Sequence, residues 1–122
     1  MIEKMTTTMQ SALSQAQQTA MVRKHQQIDI PHLWLAFIQP DHFVKNIYDQ
    51  LGVPTDQMKQ LIEAEIDKLP TVSGSNVEYG QSISPALNQL LADANAIAQE
   101  FKDQYLSTEV VMLALFDQTN SP

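Results

Sequence analysis

Apolar side chains recur at helical spacing along most of the chain. One stripe predicts a long amphipathic helix, and it consists of Leu87, Leu90, Leu91, Ala94, Ile97, Ala98 and Phe101. A second stripe, nearer the start, is built mostly from small residues, namely Met9, Ala12, Leu13, Ala16 and Ala20. A polar turn follows each of these long helices. A short, almost wholly apolar helix is predicted after each turn, at residues 33–38 and 110–116.

Two more helices are predicted between these pairs. Phe43, Ile47 and Leu51 line one face of the first, and Gly52 ends it. The second ends before Pro70, and one side of it carries Met58, Leu61, Ile62, Glu65, Ile66 and Leu69. No segment alternates apolar and polar residues for long enough to predict a strand. The sequence therefore predicts an all-α fold.

Residues that favour helix starts precede most of these segments. Ser84 is placed to cap the helix that opens with Pro85, because a proline in the first turn lacks an N–H that would be unpaired there anyway. The other predicted caps are Thr6 or Thr7, Thr55 and Thr108. Glu109 follows Thr108 in a first helical turn, where its charge suits the helix dipole.

An internal repeat organises the chain. An ungapped offset of 78 residues aligns 5–38 with 83–116, and seven of the 34 aligned positions are identical. The matching register and helix starts support a repeat more strongly than the identities do. We predict a first repeat at residues 1–70, a connector at 71–82 and a second repeat at 83–122.

The second repeat is expected to be incomplete. At the same offset, counterparts of the helices around residues 43–51 and 58–69 would fall beyond Pro122. Fewer helices would then cover the apolar faces of the second repeat. We expect part of that surface to be exposed or to be covered by self-association of the chain.

Composition and charge exclude several kinds of partner. The 122 residues suffice for one domain, and the net charge of −7, with Arg23 as the only arginine, predicts no nucleic-acid partner. The longest unbroken apolar run, residues 110–116, is far shorter than the roughly 20 residues of a membrane span. No export signal opens the chain and the chain has no cysteine, so we predict a cytoplasmic location. We predict no membrane partner.

The histidines do not predict a metal site. His25, His32 and His42 are seven and ten residues apart, and a zinc-binding helix instead places two histidines four residues apart. Without cysteines, or carboxylates nearby in a suitable pattern, no metal ligand is predicted. His32 is predicted to be a packing residue that is buried or half-buried.

Asp103 and Glu109 have three possible roles. They could form a catalytic carboxylate pair, an acidic rim that binds basic polypeptide segments, or helix-capping and solubilising charges. Catalysis is the least supported role, because no nucleophile or metal set accompanies them. The residues alone favour capping, and no catalytic residue is predicted.

The short helices and the segments before them carry a family resemblance. "PHLWLAFI" and "TEVVMLALF" resemble the short helices in the N-terminal repeat domain of Clp ATPases. "KLPTVSGS" and "FKDQYLSTE" resemble the disaggregating ClpB type more than ClpA or ClpC. The chain departs from the family pattern at Pro31, where Glu is usual, at Val110, where His is usual, and at Trp34, where Leu is common.

The resemblance implies a non-enzymatic module that binds misfolded or aggregated polypeptide for disaggregation and refolding. Such a module passes its client to a hexameric AAA+ ring, and ATP and Mg²⁺ would bind in the ATPase modules of the parent protein. This chain has no G-x-x-x-x-G-K-[ST] loop, so no cofactor is expected in it. The family's substrate-handling positions fall on Thr6, Asp103 and Glu109, and Val110 is predicted to join them. The resemblance makes substrate contact by the two carboxylates as well supported as capping.

A shallow groove where the two repeats meet, with apolar walls and an acidic rim, is the predicted client site. Two alternatives stay open at this point. One is an adaptor-binding domain of the ClpC or ClpA type, whose partner is a dedicated folded protein. The other is a structural helical module that only spaces or oligomerises subunits.

Overall fold

The computed structural model describes residues 5–103 and 105–119, and the side chains up to residue 115. This part of the chain forms six helices: α1 (Thr7–Val22), α2 (Ile30–Phe37), α3 (Phe43–Gln50), α4 (Thr55–Asp67), α5 (Pro85–Glu100) and α6 (Thr108–Thr119). Two strands of two residues each, β1 (Gln27–Ile28) and β2 (Ser82–Ile83), pair in parallel. The predicted all-α fold is confirmed. None of the described helices is both long and apolar enough to cross a membrane.

The stripe on α5 is buried as its spacing predicts. Leu87, Leu90, Leu91, Ala94 and Ala98 are all buried, and α5 packs against α6. The helix begins at Pro85, as predicted. The stripe does not extend to its last predicted member. Phe101 is 60% exposed, because α5 ends at Glu100 and the chain turns away.

The small residues on α1 are buried along one side. Met9, Ala12, Ala16 and Ala20 are at most 2% exposed, whereas Leu13 is only half-buried. Thr6 caps this helix, since its Oγ1 accepts a hydrogen bond from the Met9 N–H at 3.2 Å.

Helices α2, α3 and α4 pack on one another. The buried side of α3 is formed by Val44 and Tyr48, so the predicted face of Phe43, Ile47 and Leu51 is wrong. Ile47 is 38% exposed and Leu51 is 72% exposed. The helix carries apolar side chains on two faces, and packing against α2 and α4 buries the face that the sequence analysis did not choose.

Two predicted caps are corrected. Thr55 is the first residue of α4, which has Pro54 at its cap position and no side-chain cap, and the Thr55 hydroxyl instead donates to Asp49. At α6, the Ser107 hydroxyl accepts a hydrogen bond from the Val110 N–H at 3.4 Å, so Ser107 takes the capping role predicted for Thr108. Thr108 is the first residue of the helix and is buried.

The described chain divides into two compact units. Unit 1 combines residues 5–11 with residues 85–119, and unit 2 comprises residues Ala12–Ser84. Unit 1 therefore contains the start of the first predicted repeat together with helices α5 and α6 of the second. The boundaries between repeats stay a prediction.

The two long helices end in the same way. Lys24 and Lys102, which correspond at the offset of 78, both adopt left-handed backbone conformations, with φ of 62° and 59°. In each copy the next N–H donates at 2.8 Å to the carbonyl five residues earlier, Ala20 or Ala98. This pattern is a Schellman-type helix end formed without glycine.

The offset also relates the two strand contacts. Ile28 pairs with Ile83 in unit 2, and Leu106 pairs with Met5 in unit 1. Leu106 corresponds to Ile28, and Ile83 corresponds to Met5. Each unit therefore contains one parallel contact between a residue of the first copy and a residue of the second.

Candidate functional site

Thr6 is fixed by backbone as well as side-chain hydrogen bonds. Its Oγ1 caps α1, and its N–H donates to the Leu106 carbonyl at 3.0 Å. The residue is half-buried. It therefore ties the start of α1 to the segment between α5 and α6.

Asp103 and Glu109 lie at the two ends of that same segment. The Asp103 N–H donates to Ala98 and completes the end of α5, while its side chain is exposed. Glu109 is exposed in the first turn of α6, where a carboxylate interacts favourably with the helix dipole. Both carboxylates are thus held by local backbone structure and face solvent.

The contact between Met5 and Leu106 places Thr6 beside the segment that joins Asp103 to Glu109 in unit 1. Leu106 lies between Asp103 and Glu109 in sequence, and Thr6 follows its partner Met5. The sequence alone does not predict this pairing, because the two residues lie about a hundred positions apart in the chain. We define residues 101–103 and 105–109, with Thr6, as the acidic turn.

Val110, the fourth predicted residue, is 3% exposed. It lies beside Val111, which is fully buried, so both residues belong to the apolar core of unit 1. A valine there supports the acidic turn by fixing the first turn of α6. Its direct contact with a bound polypeptide stays a prediction.

Exposed aromatic residues flank Asp103, and the sequence analysis did not assign them to the site. Phe101 is 60% exposed and Tyr105 is 51% exposed, and Leu113 on α6 is 45% exposed. The signal that could have found them is the polar "KDQ" between two aromatic residues, which is unlike a continuing amphipathic helix. The acidic turn therefore presents apolar surface together with carboxylates.

His25 and His32 form a buried pair in unit 2. His25 Nδ1 and His32 Nε2 are 2.9 Å apart, and His32 Nδ1 accepts the Asp29 N–H at 2.8 Å. Because His32 Nδ1 accepts, the neutral ring carries its proton on Nε2 and donates it to His25. His32 is 0% exposed, which confirms its prediction as a packing residue. In the described residues no group of histidine and carboxylate side chains could hold a metal ion.

Acid is expected to destabilise the fold through His32. Burial lowers the pKa of His32 to about 4, and the charges of His25 and Arg23 act in the same direction, whereas Asp29 opposes them. The unfolded chain, with a pKa near 6.5, therefore takes up the proton first. The contribution of His32 to stability should be fully present above about pH 7. About 3 kcal/mol of stability should be lost as the pH falls through 6.5 and then through 4, and little further loss comes from this group at lower pH.

Urea unfolding at pH 7 and pH 5 measures this loss. His32→Asn is expected to be less stable at pH 7 but to show a smaller difference between the two pH values. His42→Gln is the comparison variant: burial alone lowers the pKa of His42, without the added effect of a neighbouring charge, so this variant should reduce the difference between the two pH values less than His32→Asn does. Equal wild-type stability at pH 7 and pH 5 would contradict the assignment.

A pocket between α2 and α4 was not predicted from the sequence. It has a volume of about 690 Å³ and lies entirely within unit 2. Apolar side chains form most of its lining, among them Trp34 and Met58, and its carboxylates are Asp29 and Glu65. We call this feature the α2–α4 pocket.

The whole chain matches one protein family. Residues 4–122 match the Clp repeat (R) N-terminal domain, and the chain belongs to that family. The family is the non-catalytic N-terminal region of Clp ATPases, so the chain is a non-enzymatic domain and any ATPase activity belongs to a parent protein.

Curated ClpB chaperones from several bacteria are similar to the chain. The chain is 54% identical to the chaperone protein ClpB of Lactococcus lactis subsp. cremoris over 121 residues, and 47% identical to that of Enterococcus faecalis over 119 residues. These matches cover 99% and 98% of the chain but only 14% of each relative. The chain is thus similar to the N-terminal seventh of a ClpB chaperone, and the predicted ClpB-type resemblance is confirmed.

Solved structures agree on the fold. The N-domain of ClpV from Vibrio cholerae superposes with a TM-score of 0.80 at 23% identity, covering 98% of this chain and 70% of that one. The Hsp104 N-terminal domain from Candida albicans superposes with a TM-score of 0.78 at 23% identity, covering 93% of this chain and 73% of that one. The ClpV N-domain in a complex with a VipB peptide superposes with a TM-score of 0.77 at 26% identity, covering 98% of this chain and 71% of that one.

Proposed function

We propose that this domain binds exposed segments of misfolded or aggregated polypeptide and delivers them to a hexameric ClpB-type ring in the cytoplasm. The supporting observation is the acidic turn, where Thr6 is hydrogen-bonded to Leu106, on the segment between Asp103 and Glu109, and where Phe101 and Tyr105 are exposed. Membership of the family and the similarity to ClpB chaperones favour the same role. ATP and Mg²⁺ act in the ATPase modules of the parent.

The chemistry of the acidic turn suits segments that a native protein hides. An apolar client side chain can bury surface against Phe101 and Tyr105, at roughly 25 cal/mol per Å². Asp103 and Glu109 attract a neighbouring Lys or Arg. Charges this exposed contribute little each and are screened by salt, so binding is weak and exchanges quickly. Six copies around a ring raise the overall affinity without new contacts.

Reversing both charges tests this function. Asp103→Lys with Glu109→Lys is expected to reduce capture of an aggregated model protein several-fold, while circular dichroism and the melting curve change little, because both side chains are exposed. The capture is measured by pull-down with the 122-residue chain. Raising the salt concentration should weaken wild-type capture in the same direction.

Glu63→Lys with Glu78→Lys is the matched control, since it makes the same change in net charge at two carboxylates of unit 2 outside the acidic turn. The control should bind like the wild type. If both double variants lose capture equally, net charge rather than the acidic turn controls binding. If the Asp103 and Glu109 variant binds normally, the acidic turn is not the client site.

Binding of one dedicated partner is the second candidate. A solved complex of the ClpV N-domain, 26% identical to this chain, contains a VipB peptide. An adaptor-type domain would form a tight one-to-one complex with a single native partner and would ignore unfolded proteins. A purely structural module would bind neither. Comparing capture of an unfolded protein with capture of its native form separates the three functions.

A further inference from the structure

We propose that the α2–α4 pocket is a second polypeptide-binding site, which takes the apolar side chains of an extended or helical segment that also carries a Lys or Arg. The proposal rests on the function proposed above, since it assumes that the domain binds polypeptide. It adds a site in unit 2, and none of the residues that the sequence analysis assigned to clients lines it.

The pocket has the size and lining of a ligand site. Its volume of about 690 Å³ lies inside the range of roughly 300–1,000 Å³ that is typical of binding pockets. Trp34 and Pro31 line it from α2, and Met58 and Leu61 line it from α4. Leu61 is 70% exposed. A single exposed leucine is ordinary, but here it borders a concave apolar surface that a partner could cover.

The walls of the pocket are held by buried groups. Ile62 and Ile66 anchor α4, at 5% and 0% exposed. At the other wall, Asp29 and His32 form a reciprocal capping box that fixes the start of α2. A pocket formed in advance costs little to organise when a segment binds, so even a short segment can gain affinity there.

The charges at the pocket identify the occupant. Among the described residues that line it, Asp29 and Glu65 are the ionisable ones, and both are acidic. Asp29 Oδ1 is held in place, accepting the Ile30 N–H at 2.8 Å and the Ser84 hydroxyl at 2.7 Å. Glu65 pairs with Lys68, but both side chains are well exposed, and a pair of this kind is weak enough to exchange for a ligand's cation.

A basic side chain has a further partner in this pocket. The half-buried indole of Trp34 is part of the lining, and a Lys or Arg over its face gains a cation–π interaction. A second copy of this chain fits the pocket poorly, because the net charge of −7 would bring further acidic groups against Asp29 and Glu65. An apolar segment with a positive charge satisfies the apolar lining and both carboxylates.

Trp34 is the only tryptophan in the chain, so its fluorescence reports directly on the pocket. The probe is a 12-residue synthetic peptide with leucines at helical spacing and two arginines. It is expected to shift the Trp34 emission in a saturable way. A peptide with Glu in place of the arginines should bind at least about five-fold more weakly, and one with Ser in place of the leucines should give no shift.

Variants then locate the binding. Leu61→Ser is expected to weaken binding of the peptide about five-fold or more, because it removes an apolar side chain that the bound leucines would cover. Leu51→Ser is its matched control, since Leu51 is 72% exposed but lies outside the pocket. Glu65→Gln should weaken the arginine peptide about two- to five-fold and should not weaken the peptide with Glu in place of the arginines, which has no cation for Glu65 to attract. Both variants remove side chains at the surface, and Glu65→Gln supplies the test if Leu61→Ser lowers helicity.

The outcomes separate this proposal from the proposed function. Reversing Asp103 and Glu109 should leave the Trp34 response intact, because those residues are not in the pocket. If the peptides leave Trp34 unchanged while capture of aggregated protein persists, the pocket proposal is wrong and the proposed function stands. A Trp34 shift that depends on protein concentration without peptide would instead identify a second copy as the occupant. Equal binding of the Arg and Glu peptides would overturn the assigned charge preference.

Discussion

Replacing Leu91 by alanine is expected to lower the free energy of unfolding by about 3–4 kcal/mol. Leu91 is 0% exposed and lies in the middle of α5, which packs against α6. The loss combines the burial of the removed carbon atoms with the cavity left behind. For a domain of this size the melting temperature should fall by about 10 °C or more.

Leu113→Ala on α6 is the matched control, because it removes the same atoms from a side chain that is 45% exposed in the same unit. It should cost at most about 1 kcal/mol. Urea and thermal unfolding measure both variants. At a temperature where Leu91→Ala is folded, its capture of aggregated protein should equal that of the wild type. A melting curve that does not move would show that Leu91 is not in the core.

The long helices could be predicted because one apolar stripe dominates each of them. On α5 the residues from Leu87 to Ala98 give a single buried face, and Pro85 marks the start. The end of α5 was harder to predict. Lys102 ends the helix in a left-handed conformation with φ of 59°, which usually requires glycine, and no glycine is present there to mark the end. The prediction that Phe101 belongs to the buried stripe is therefore wrong.

Short helices with two apolar faces cannot be resolved by periodicity alone. In the eight residues of α3, Phe43 with Ile47 and Val44 with Tyr48 both show a spacing of four. Packing against neighbouring helices decides which pair is buried, and that information lies outside the segment. The α2–α4 pocket could not be predicted for the same reason, because it lies between two helices and neither helix carries a sequence pattern that indicates it.

The predicted site residues came from the family resemblance, not from their chemistry. Alone, Asp103 and Glu109 are well explained as residues at helix ends. The contact between Met5 and Leu106 places Thr6 beside the segment that joins them. At the offset of 78, this contact corresponds to the contact between Ile28 and Ile83. The sequence of neither copy predicts which residues pair. The exposed aromatic side chains around Asp103 became recognisable only when the end of α5 was known.

Replacing Gly80 by alanine is expected to destabilise the protein by about 2–4 kcal/mol. Gly80 has φ of +65°, a conformation that costs other residues roughly 1–2 kcal/mol. A Cβ atom there would also lie 2.9 Å from Met21 Cγ and 3.0 Å from the Gln17 backbone oxygen. The Met21 side chain can move, but the carbonyl belongs to α1 and cannot move without disturbing that helix.

The same glycine holds the connector against the rest of unit 2. Its N–H donates to the His25 carbonyl at 2.9 Å, and its carbonyl accepts from Gln17 Nε2 at 2.8 Å. A shift that relieves the clash with α1 would lengthen both hydrogen bonds. Each lost bond would leave backbone polar groups in a buried position without a partner, at a cost of about 1 kcal/mol or more.

Gly52→Ala separates the conformational cost from the close approach. Gly52 also has a positive φ, of +80°, but nothing lies within 4 Å of the position of its Cβ. Its replacement should therefore cost about 1 kcal/mol, from the backbone conformation alone. Urea unfolding of both variants gives the difference, which we expect to exceed about 1 kcal/mol. If the two substitutions cost the same, the contact of Gly80 with α1 contributes nothing, and the connector is fixed by its other hydrogen bonds, such as that from Val72 N–H to the Lys24 carbonyl.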